Sequence, residues 1–212
     1  MADTVIQGGR TGGLGPAADG GNSSNRLGRN NELVIAQGVG KYHEAASRGN
    51  IFMASTAVGG VAPGTALSTT PPLDIHNPDG SGVLVSILDI YVGYVSGTLG
   101  AGSLVHSRTV QTAVPTTGTT LTIQNAKLGA AAGSATAGEG RTVAATPTII
   151  RPSGIILGAS LATTAALPVL MHEHVGGSIV IPENDDWSLE GVAAGGSTPL
   201  LILSVVWQEI KQ

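Results

Sequence analysis

Asn77-Pro78-Asp79-Gly80-Ser81-Gly82-Val83-Leu84-Val85-Ser86-Ile87-Leu88-Asp89-Ile90-Tyr91-Val92 is the stretch whose reading decides the fold. Its first six residues are a turn cluster. Pro78 presets φ, the glycines supply positive φ, and Asn77 and Asp79 can bond their own backbone. The ten residues behind the turn are almost all apolar and rich in Val and Ile. Such a run suits a strand buried on both faces and is too short to cross a bilayer as a helix. The chain downstream of it reads as more strands, and the chain upstream reads as an arm leading in.

Working outward, strands are expected near 73–76, 83–92, 104–112, 119–125, 142–150, 154–161, 167–172, 176–181, 186–192 and 199–210. Turn residues separate most of them, and no helical period intervenes, which points to an all-β sandwich or barrel. The Gly- and Ala-rich string 129–138 reads as a loop tip or a short helix. In the last strand both alternating sets are apolar through Val206, as expected of a central strand or one at a subunit interface. Upstream, Glu32-Leu33-Val34-Ile35-Ala36 and Ile51-Phe52-Met53-Ala54-Ser55-Thr56 suit short strands, with one or two helical turns between them that stop at Gly49. Residues 58–72 hold three Pro and three Gly. A connection that long is expected to lie against a surface. The resulting division is an extended N-terminal arm and irregular connection over 1–72, then a sandwich domain over 73–212.

Charged residues make up 11% of the chain and apolar ones 42%, so a core can form while the surface stays low in charge. With one Phe, two Trp and three Tyr, that core must be aliphatic. Small uncharged residues on a surface favour close packing against other protein, which points to an assembly. The net charge of −4 argues against direct nucleic-acid binding, which needs clustered Lys and Arg. No cysteine means no disulfide and no thiolate chemistry. Neither a secretory signal nor a membrane span is read, so a soluble intracellular product is expected.

Three segments together carry a resemblance. They are Tyr42-His43-Glu44-Ala45-Ala46-Ser47-Arg48-Gly49-Asn50, the Asn77-Pro78…Gly80-Ser81-Gly82 turn before its strand, and Ile181-Pro182-Glu183…Trp187-Ser188-Leu189 followed by Leu203-Ser204-Val205-Val206-Trp207-Gln208-Glu209-Ile210. The set resembles small virion proteins of tailed bacteriophages, the jelly-roll cement or decoration proteins of the head. The resemblance implies a jelly-roll-like antiparallel β-sandwich of about eight strands. It further implies a homotrimer, and an arm that grips major capsid protein subunits. The protein would then be a non-enzymatic part of the virion, assembled in the host cytoplasm. A tail, neck or head-fibre component would look similar.

No catalytic set and no cofactor site is read. The pair that would hold a metal, were one bound, is His172 and His174 in Met171-His172-Glu173-His174, which share one face of a strand. Cupins are jelly rolls that use a His-x-His pair followed three to four residues later by Glu, with a further His on a later strand. Here Val175-Gly176-Gly177-Ser178 stands where that Glu belongs, and no histidine follows His174. A cupin-like metal enzyme would therefore need His43, His76, His106 or Glu173 to arrive from elsewhere. Glu44 and Arg48 have the spacing of an i,i+4 ion pair. Glu183, Asp185 and Asp186 suit either calcium or a polar turn. Asp89, inside the apolar run, needs a partner.

Overall fold

The computed structural model describes residues 40–157, 171–193 and 197–212. The chain divides into two units, Met1–His43 and Glu44–Gln212. Of the first, residues 40–43 are described, a turn closed by the His43 N–H donating to the Gly40 carbonyl (2.9 Å). Residues 1–39 of the expected arm, including the strand at 32–36, lie outside the described residues.

A short helix, α1 (His43–Ser47), leads into eleven strands. They are β1 (Ile51–Ser55), β2 (Leu73–Asn77), β3 (Val83–Ser96), β4 (Gly102–Val110), β5 (Thr119–Thr120), β6 (Gln124–Asn125), β7 (Thr136–Glu139), β8 (Thr148–Leu157), β9 (Met171–Ile181), β10 (Asp185–Val192) and β11 (Leu200–Lys211). Two sheets form, ordered β6-β1-β11-β3-β9 and β5-β7-β2-β10-β4-β8. The eight main strands pair in a nest: β4 with β8, β3 with β9, β2 with β10 and β1 with β11, every pair antiparallel. That is one long hairpin, folded back between β4 and β8. Successive pairs alternate between the sheets, so the hairpin is rolled, and β11 meets β3 while β10 meets β4. This strand order is the jelly roll, and the fold is an all-β sandwich.

The core follows from period-2 alternation. Leu201, Leu203, Val205 and Trp207 of β11 are fully buried between the sheets, against Ile87, Ile90 and Val92 of β3 and Leu73, Ile75, Trp187 and Leu189 opposite. β11 is central in its sheet, as its doubly apolar pattern implied. Its second face, with Ile202, Ser204 and Val206, is only half-buried.

Several expectations are corrected. The sandwich starts ahead of residue 73, because β1 pairs with β11 from Ile51↔Gln208 to Ser55↔Ser204. Residues 58–72 do lie against a surface: Gly191 and Ala193 donate to the Pro63 and Thr65 carbonyls (2.6 and 2.9 Å), and Val61 bridges Leu201. The expected strand at 119–125 is two short pieces that join different sheets, β5 on β7 and β6 on β1. The strands expected at 142–150 and 154–161 share β8 over Thr148–Leu157, which runs through Pro152, and residues 158–161 lie outside the described residues. An edge strand tolerates this proline because its missing N–H breaks no central ladder. Residues 171–172 of the strand expected at 167–172 likewise merge with that at 176–181 in β9, and residues 167–170 lie outside the described residues. Within 129–138, neither loop tip nor helix describes Thr136-Ala137-Gly138, which pairs with β2 as part of β7.

Candidate functional site

The site builds on a slip in β3. Trp207 pairs with Ile87 and Val206 with Asp89, so Leu88 is an extra residue in the ladder. Ile87 and Ile90 can then both face the core, and Asp89 turns to the outer face of the five-stranded sheet. Across the β3–β9 ladder Asp89 meets His174, and Tyr91 meets His172. One oxygen, Asp89 Oδ1, accepts from His172 Nε2 (2.9 Å) and from His174 Nδ1 (2.8 Å). For both imidazoles to donate to one oxygen, His172 must carry a proton on Nε2 and His174 on Nδ1. Tyr91 stacks on His172 with ring centroids 4.6 Å apart. The Asp89 side chain is 13% exposed, and the two imidazoles 43% and 51%. Burial pushes the Asp89 carboxyl up, but the two imidazoles outweigh it and hold the group below the usual carboxylate range.

Sequence reasoning thus found the paired histidines and the carboxylate separately, and the fold joins them. It does not join the rest. Among the described residues no three His, Cys, Asp or Glu side chains are arranged to hold a metal ion. Glu173, between the two histidines, faces the opposite way by strand alternation. It takes His106 Nε2 at 3.0 Å and Arg151 at 2.7 Å. His106 Nδ1 accepts from Trp187 Nε1 (3.1 Å), which leaves its proton on Nε2 for Glu173. Burial lowers the His106 imidazole, and Glu173 pushes it partly back. This Trp–His–Glu–Arg chain ties the two sheets together, with His106 fully buried and its Arg151 end partly exposed. His43 lies on α1, where Glu44 and Arg48 make the expected ion pair at 2.8 Å.

The acidic string of the proposed calcium turn diverges. Asp185 takes a two-pronged contact from Arg108 (2.7 and 3.0 Å), and Glu183 accepts the Gly82 N–H (2.7 Å). Asp186 is buried on the outer face of the six-stranded sheet, in a cluster that sequence reasoning missed. There β2 and β10 set His76 opposite Asp186 and Asp74 opposite Ser188. The connection before β2 and the insertion 111–147 roof this face, leaving Asp74, His76, Asp186 and Glu190 no more than 1% exposed. Arg141, itself buried, descends from the insertion and bonds both oxygens of Asp74, with Nε at 3.2 and 3.0 Å. It lies flat across Gly138, where any Cβ would collide with it. As a carboxylate Asp186 has no hydrogen-bond partner among the described residues; protonated, it donates to Asp74. Burial first, and then the charge of Asp74, raises the Asp186 carboxyl well above the ordinary range. Burial and the charge of Arg141 keep His76 below the usual imidazole range, hence neutral. The only sequence signal was an ionisable residue recurring at strand positions 74, 76 and 186.

Two open clefts of about 480 and 490 Å³ flank Glu139. They are lined largely by small residues of the 60–72 connection and by Thr119, Thr120 and Thr122, and Glu139 itself accepts the Ala57 N–H (3.1 Å). Comparison of the chain with protein families, with curated proteins and with solved structures gave no match.

Proposed function

We propose that the chain is a non-enzymatic structural protein of a phage virion, a cement or decoration protein that stabilises the head by binding the major capsid protein as a homotrimer. The observation that supports this best is a jelly-roll body made from a chain with 11% charged residues, in which one whole sheet face carries almost no charge. A cement protein needs a rigid fold and broad, uncharged contact surfaces. It also gains from a segment that orders on binding, a role that the composition of residues 1–30 suits. The buried acids and histidines support the same reading, because their observed partners are internal: His106 with Trp187 and Glu173, Asp74 with Arg141, Glu190 with Ser107 and Ser188. The arrangement nearest to a metal enzyme is the meeting of Asp89 with His172 and His174, but these three bond one another and are not arranged to hold an ion.

Gradient-purified particles from the producing host decide between these. An antibody against the purified chain should label heads, and quantitative mass spectrometry should find the chain in fixed ratio to the capsid protein. Label on the tail or neck would move the protein there. Absence from particles, together with one stoichiometric metal ion per chain by native mass spectrometry, would overturn the virion reading.

A further inference from the structure

The two sheets differ on their outer faces. The six-stranded sheet is roofed by its own loops; over the five-stranded sheet most of the outer rows of β1, β11, β3 and β9 remain accessible among the described residues, apart from buried Ile51, Ser86 and Asp89. Those rows present Met53, Leu84, Tyr91, Ile202, Val206 and Ile210, half-buried or exposed, interleaved with serines and Gln208. Among the described residues Asp89 is the one carboxylate or ammonium side chain on these four rows, and it is capped by His172 and His174. We infer that this face is a self-association surface, and that it packs against a second copy of this chain.

Charge and area both favour a copy over another partner. A nearly uncharged face, its one carboxylate capped by two histidines, can meet another copy in a two-fold or a cyclic contact without setting like charges together. Five strands at about 4.8 Å spacing are roughly 24 Å wide, and a mean length near nine residues is roughly 30 Å, giving about 700 Å² per copy. A stable interface covers about 800 Å² per partner, and about 1,000 Å² in total is the lower bound for a biological one. Depletion of Lys and Glu over an area of that size, with Met53 and Tyr91 present, fits the composition of an interface core. This inference does not depend on the presence of the chain in virions, since it rests on the composition and area of the face.

The test is the size of the full-length protein by light scattering and native mass spectrometry across about a hundredfold range of concentration, because association follows mass action. The wild type should be an oligomer. Val206→Glu, at the centre of β11, should give a monomer with an unchanged circular dichroism spectrum. Val110→Glu, on an exposed site of the other sheet, should associate like the wild type. Should Val206→Glu fail to fold, the near-isosteric Gln208→Glu puts a charge on the same face, and it should weaken association at least tenfold. A monomeric wild type at the highest concentration, or charged-face variants that associate normally, would overturn the inference. A monomeric wild type would also remove the free homotrimer from the virion reading, but neither result touches the presence of the chain in particles, so the two proposals fail separately.

Discussion

Asp186 is where a single proton decides stability. Its carboxyl is raised in the folded chain, so the fold binds that proton more tightly than the unfolded chain does. The contribution is whole below the unfolded carboxylate value, about pH 4, and is lost as pH rises through the folded value, at about 1.4 kcal/mol per pH unit between the two. Asp186→Asn removes the titration and keeps an N–H to donate to Asp74. We expect the variant to withstand more urea than the wild type at neutral pH, with the gap closing as pH falls toward 4. Parallel curves for the two proteins across that range would mean that Asp186 is already ionised in the fold without penalty. The residue scale is also where the sequence was least legible. Asp89 announced a missing partner because it broke an apolar run, and the histidine pair announced a shared face. Nothing local announced that Asp186 would lie under a roof contributed by residues 67 positions after Asp74, where Arg141 supplies the counter-charge.

β9 shows how an element hides from a one-dimensional reading. Gly176 and Gly177 resemble a turn, and both have positive φ, 62° and 84°. The strand nevertheless continues: Asp89 pairs with His174 and Ile87 with Ile179, so three extra residues loop out of the ladder and rejoin it. A glycine pair signals a left-handed backbone, and only the partner strand determines whether that becomes a turn or a bulge. The bulge keeps Ile179 and Ile181 in the core while His172 and His174 stay on the outer face. A Cβ at position 177 would stand 3.0 Å from Ser86 Oγ as well as adopting the disfavoured conformation. Gly177→Val should therefore lower stability by about 1–2 kcal/mol or more, and Gly177→Asn by less, since Asn tolerates left-handed backbone. Equal midpoints for both variants and the wild type in thermal unfolding would show that the bulge can slide. β7 was illegible for the opposite reason: Thr, Ala and Gly carry too little hydrophobic contrast to show a period, and the strand exists because β2 pairs with it.

At the scale of the whole molecule, the two-layer, all-strand packing was legible because aliphatic runs and turn residues alternate regularly from residue 73 onward. The pairing order was not. A jelly roll joins the first strand to the last, and no local pattern records that Ile51 will meet Gln208. For the same reason β1 was assigned to the arm: it is five residues long and stands far ahead of β2, and its partner is the chain's final strand. The unit that holds both sheets begins at Glu44, which sharpens what removing residues 1–30 should do. The strands, core and roof contacts of the described residues all lie outside that segment, so the truncated chain should unfold within about 1 °C of the full-length protein, under the roughly 2–4 °C that about 1 kcal/mol produces at this size. If the segment grips the capsid, binding and folding separate. Full-length protein should co-sediment with particles stripped of the native chain, and the truncated protein should stay in the supernatant. Co-sedimentation of both would place the grip on the sandwich, and a collapse of the melting temperature would make residues 1–30 part of the fold.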